Sequence, residues 1–141
     1  MSGADFLDTS VVVYTIDAAH PTKQETARVI VADALSRQSA VVSFQVVQEV
    51  LQVITRKFRI VLTDADAKQF LNSVLLPLWK VQPSPGLYEK TLAIQVRHGF
   101  AFYDSLIVAA AIEAGCKRLI SEDLQHGQRI EGLRIENPFR P

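Results

Sequence analysis

Short runs of β-favouring residues recur along the chain with longer helical patterns between them, and this alternation narrows the possible folds most sharply. Strands separated by helices form α/β folds in which a mostly parallel sheet is built from crossover units. The expected strands are Asp5–Leu7, Ala40–Val42, Trp79–Val81, Lys117–Ile120 and Leu133–Ile135. At 141 residues the chain suits one compact domain, expected over residues 1–141, with no internal repeat and no linker. The Pro/Ser-containing stretch Gln82–Gly86 is too short to divide it and reads as a loop and helix start.

Helix signals fill the gaps. Thr22 with Glu25 forms a capping-box pattern, predicting a helix through about Arg37. Ser43 is expected to cap a second helix with the apolar stripe Val47, Val50, Leu51, Ile54 and Phe58. Thr63 and Asp66 open a third, with Ala67, Phe70, Leu71, Val74 and Leu75 facing inward. Ser84 followed by Pro85 marks an N-cap and a first-turn proline, and Gly99 stops that fourth helix. Tyr103–Ala114 is apolar nearly all round, which predicts a buried helix ended by Gly115.

Fifteen basic and fifteen acidic side chains leave no net charge, so contact with a polyanion must come from a local patch. The single Cys116 forms no internal disulfide and favours a reducing, cytoplasmic setting. No secretory signal is expected, because Asp5 and Asp8 interrupt the early apolar stretch. The longest apolar run, Leu106–Ile112, falls far short of the ~20 residues that span a bilayer, so no membrane partner is expected.

Four acids stand where chemistry is expected. Asp8 follows the first strand, and ligands of open parallel sheets bind beyond the carboxyl ends of the strands. Its plainer role is to cap the next helix. Asp123 stands just past the strand ending at Ser121, where the plain alternative is a turn or cap. Asp104 opens the buried helix, where a charge needs a partner and the helix N-terminus supplies positive dipole; an N-cap is again the alternative. Glu49 lies on a polar stripe with Gln45, Gln48, Gln52 and Arg56, the pattern of a solvated face. Apart from Arg56 that stripe is glutamine, as suits a polar cleft wall. Taken together, the acids suit Mg²⁺ or Mn²⁺, hard cations that take oxygen ligands. Zinc-type Cys or His spacing, a phosphate-binding glycine loop and a serine-hydrolase elbow are all missing from the sequence.

The motifs around these acids are similar to those of the PIN-domain ribonucleases, and of VapC-type toxins in particular. Phe6-Leu7-Asp8-Thr9-Ser10-Val11 resembles the family's opening motif, and Gln48-Glu49 its internal glutamate. Tyr103-Asp104-Ser105-Leu106 with the following alanines resembles its central helix, and Leu119-Ile120-Ser121-Glu122-Asp123 its strand-end motif. The closing Leu133–Phe139 resembles the tail of bacterial VapC-like chains. The resemblance spans nearly the whole chain. It implies a three-layer α/β/α sandwich with a central mostly parallel sheet. It also implies an endoribonuclease dependent on Mg²⁺ or Mn²⁺, with Asp8, Glu49, Asp104 and Asp123 as catalytic acids and Asp8, Asp104 and Asp123 as metal ligands. In that chemistry a metal-activated water hydrolyses the phosphodiester. Ser10, Ser121 and His126 are the expected supporting residues. The implied partners are RNA, a cognate antitoxin whose tail reaches the acidic pocket, and a second copy in a homodimer.

One departure is visible: His126-Gly127 stand where many relatives carry Asp then Phe. It keeps open a second reading, a PIN-like module that binds RNA or protein with little catalysis. A third is an unrelated α/β hydrolase acting on a phosphorylated small molecule. Arg56, Lys57, Arg59 and Arg97-His98 are candidate phosphate contacts or solvated helix ends.

Overall fold

The computed structural model of the chain describes residues 4–56 and 62–141. Six strands form one sheet: β1 (Asp5–Leu7), β2 (Ala40–Ser43), β3 (Trp79–Val81), β4 (Arg118–Ile120), β5 (Arg129–Ile130) and β6 (Leu133–Glu136), in the order β3-β2-β1-β4-β6-β5. All neighbours are parallel except β5, which runs antiparallel to β6. Helices on both faces complete the three-layer α/β/α sandwich expected. The central strands carry Phe6, Leu7, Val42, Leu119 and Ile135, all buried, because a parallel sheet covered on both faces has no wet side.

The helices are α1 (Thr9–Tyr14), α2 (Pro21–Arg37), α3 (Phe44–Arg56), α4 (Asp64–Phe70), α5 (Leu76–Leu78), α6 (Pro85–His98) and α7 (Phe102–Glu113). Where a side chain caps its own helix, local sequence predicts the structure well. Thr63 Oγ1 accepts from the Asp66 amide at 3.1 Å, and Ser84 Oγ accepts from the Leu87 amide at 3.1 Å. Gly99 ends α6 with φ +72°, a left-handed conformation that glycine adopts without a Cβ penalty. Helix α7 is buried along Ser105–Ala111, the middle of the stretch expected, while Tyr103 at its start is exposed.

Several expectations are corrected. The capping box at Thr22 and Glu25 does not form. Pro21 occupies the first turn, so α2 starts earlier, and its cap position falls on His20, whose side chain makes no capping bond. Ser43 does not cap α3: it completes β2, and its buried hydroxyl has no partner. In the α3 stripe, Val47, Val50 and Ile54 are buried and Leu51 half-buried, while Phe58 lies outside the described residues. Between α4 and α5 the chain runs through π-helical turns at Leu71–Leu75, which widen the local period; the expected inward set does face the core, with Ala67 and Leu75 buried and Phe70, Leu71 and Val74 half-buried against it. The short strand β5 carries no sequence signal of its own.

Candidate functional site

A cleft at the carboxyl edge of the sheet is lined by all four predicted acids. Asp8 stands where β1 passes into α1, and Asp123 stands beyond β4. Glu49 projects from α3 and Asp104 from the first turn of α7, which is capped by Ala101 and not by Asp104. Asp8 does cap α1, its Oδ1 accepting from the Thr9 amide at 2.7 Å. Capping and facing the cleft are therefore compatible, because the helix starts at the strand's carboxyl end. No helix follows Asp123, so its cap alternative falls away.

Protein donors hold two of these carboxylates, Asp8 and Glu49. Ser121 Oγ, wholly buried, donates to Asp8 Oδ2 at 2.7 Å and accepts from the Asp123 amide at 3.1 Å. Thr9 Oγ1 donates to Glu49 Oε1 at 2.5 Å, and Gln45 Nε2 donates to Glu49 Oε2 at 3.1 Å. Gln45 also reaches the Tyr103 carbonyl at 3.1 Å, tying α3 to α7 across the cleft floor. Glu49 is half-buried and held by these two donors; of its stripe Gln45, Gln48 and Gln52 also line the cleft, Gln48 and Gln52 staying exposed, while Arg56 is exposed and outside the lining.

Electrostatics tie the acids together. Burial pushes the Asp8 carboxyl up to about 6; the bonds from Ser121 and Thr9 oppose the rise, and the charges of Asp123 and Glu49 add to it. Asp123 is an exposed residue overall, yet its carboxyl is also raised, first by partial burial and then by Glu122, Asp104 and Glu49. Like charges that raise one another's proton affinity call for a cation.

The donor set suits Mg²⁺ or Mn²⁺. The lining offers carboxylate, hydroxyl and amide oxygens without lysine or arginine, and two buried polar atoms there, Ser10 Oγ and Gln45 Oε1, have no protein partner. Among the described residues, no three acids, histidines or cysteines already close to metal-ligand spacing. The side chains share one cleft, with the Asp8 and Glu49 oxygens turned toward protein donors.

Of the three residues expected to support the acids, Ser10 lines the cleft and Ser121 orients Asp8. His126 is not in the cleft lining; it is exposed, and its Nδ1 accepts from the Asn137 amide at 3.0 Å. Arg97 pairs with Glu131 at 3.2 Å and His98 stacks on Phe100, while Lys57 and Arg59 lie outside the described residues. Thr9, Asp17, Tyr14 and His20 also line the cleft and were not singled out for it by sequence. Only Thr9, adjacent to Asp8 in the opening motif, carried a signal that could have found it.

The model of the PIN domain matches residues 6–129. The chain belongs to the PIN domain family. No curated protein matches it. Solved structures similar to this PIN domain include a toxin–antitoxin complex from Klebsiella pneumoniae, at 15% identity and a TM-score of 0.69, covering 98% of this chain and 100% of that one. DNA-bound VapBC from Salmonella typhimurium is similar at 20% identity and a TM-score of 0.69, covering 96% and 98%. VapC20 from Mycobacterium tuberculosis, described as a toxin that cleaves the sarcin-ricin loop, is similar at 19% identity and a TM-score of 0.60, covering 85% and 90%. At such identities the likeness carries the PIN fold. Among the described residues of this PIN domain, no helix is long and apolar enough to cross a membrane.

Proposed function

We propose that this PIN domain is an endoribonuclease dependent on Mg²⁺ or Mn²⁺, acting as the toxin of a VapBC-type toxin–antitoxin pair. The observation that carries the reading is the cleft where Asp8, Glu49, Asp104 and Asp123 meet without a lysine or arginine in the lining. Asp8, Asp104 and Asp123 would hold the ion, and Glu49 would complete the acidic set. A divalent ion held there supplies Lewis acidity, making a nearby water more acidic and offsetting charge on the phosphoryl group. Ser121 fixes the Asp8 carboxylate, and Thr9 and Gln45 fix Glu49, so the acids are oriented before substrate arrives. The proposed substrate is RNA. The proposed partners are a cognate antitoxin that occupies the cleft and a second copy in a homodimer; the likeness to VapBC toxin–antitoxin complexes supports the first. The cytoplasm is the proposed setting.

Purified protein is expected to cut RNA with Mg²⁺ or Mn²⁺, to lose activity in EDTA, and to lose it in Asp8→Asn. Metal-independent cleavage, or full activity in Asp8→Asn, counts decisively against the reading. The position of His126 outside the cleft favours a second one, a PIN-like module that binds RNA or protein with weak catalysis. RNA binding without turnover under any divalent ion would select it.

A further inference from the structure

The cleft is lined by five carboxylates, the four above and Asp17. A nucleic-acid strand entering it meets repulsion from every side, and a metal ion offsets only the charge close to it. Among the described residues, His20 is the one lining side chain able to carry positive charge.

Its placement is built and not incidental. Asp17 is buried; its Oδ1 accepts from the Ala19 amide at 3.0 Å and its Oδ2 faces His20 Nδ1 at 2.9 Å. The His20 ring meets Tyr14 edge-on, with centroids 5.6 Å apart. Tyr14 is itself fixed, donating to Glu122 Oε1 at 2.6 Å and packing on Phe139 at 5.0 Å. Although His20 sits at the start of α2, its side chain makes no capping bond. A carboxylate can only accept, so Nδ1 carries the proton that Asp17 receives as a hydrogen bond. That leaves Nε2, on a side chain 41% exposed, for a ligand in the cleft.

We propose that His20, oriented by Asp17, contacts a phosphate of the RNA strand lying in the acid-lined cleft. The proposal rests on the ribonuclease reading. With Nδ1–H committed to Asp17, Nε2 donates only when the ring is protonated, and an imidazolium makes a charge-assisted bond to a phosphate oxygen. The other titratable or charged groups near the ring are Asp17, Tyr14 and Glu122 with its partner Lys23.

The test is RNA binding by Asp8→Asn protein, with and without His20→Gln. The probe is a short single-stranded RNA with Mg²⁺, followed through a salt series at about pH 6. Both proteins carry the Asp8 change, which is expected to block turnover of the probe, and the neighbours of His20 are the same in both. At about pH 6, His20→Gln is expected to weaken binding about tenfold, the scale of one hydrogen bond to a charged group. It should also flatten log K against log salt by about 0.7, the value for one single-strand phosphate contact. Equal affinity and slope at about pH 6 overturn the proposal. So does a loss of affinity with an unchanged salt slope, which marks a structural role, and so does RNA that binds neither protein. Cleavage by the wild-type protein is scored separately: its absence sinks the ribonuclease reading while the binding comparison still judges His20.

Discussion

Replacing Asp8 by Asn should stabilise the metal-free protein while removing its activity, and the structure sets the size of the effect. Asp8 is 7% exposed, and its carboxyl binds its proton more tightly in the folded chain than in the unfolded one, with a value of about 6 against 3.8. A raised folded value means that ionisation works against folding. The stability tied to this group is complete below the unfolded value and is lost as pH rises from about 4 through about 6. At about 1.4 kcal/mol per tenfold change in proton affinity, the gap between 3.8 and about 6 comes to about 3 kcal/mol. Asparagine is close to the protonated acid in shape, keeps an acceptor for the Thr9 amide and carries no charge. Denaturant melts in EDTA should therefore superimpose for the two proteins near pH 4 and separate by about 3 kcal/mol above about pH 7, or about 10 °C in Tm for a domain of this size. Added Mg²⁺ should narrow the gap by stabilising only the wild type. Stability differences that stay constant from pH 4 to 8 would refute the reasoning, because a burial penalty on a charge must vanish when the charge is titrated away.

Two further outcomes follow from neighbouring contacts. Ser121→Ala removes a donor to the charged form of Asp8, so the carboxyl should titrate about one pH unit higher, and activity should move to more alkaline pH by a similar amount; a carbon-detected NMR titration reads the first and a pH–rate profile the second. The thiol of Cys116 is pushed up to about 11, first by burial and then by Asp5, so iodoacetamide should label the native protein very slowly at neutral pH and label it readily in denaturant; rapid labelling of native protein would contradict that placement.

Sequence reading succeeded where the cause of a structure lies within a few residues. Thr63, Ser84 and Gly99 act on backbone groups of their own turns, and their spacing is visible in one dimension. It failed at Thr22 because Pro21 settled the start of α2 first, and at Ser43 because strand pairing claimed that residue for β2. The acids at the cleft were named from motif and strand end. What holds them was only partly legible, because the contacts join distant parts of the chain: Asp8 to Ser121, Thr9 to Glu49, and Gln45 to the Tyr103 carbonyl. The Asp17–His20 pair was missed for another reason. Neither residue has a periodic pattern or a motif around it, and only the folded turn brings the pair to the cleft.

The margins of the sheet carry a consequence for recognition by other proteins. One flank ends in the three residues of β3 and the other in the two of β5, which is turned against its neighbour. So few unpaired amides offer an extended peptide almost nothing to zip onto, and the same brevity protects the molecule from stacking into fibrils through its flanks. A polypeptide that binds this protein must gain its affinity from side chains on helices and in hollows, and sequence specificity comes with that kind of grip.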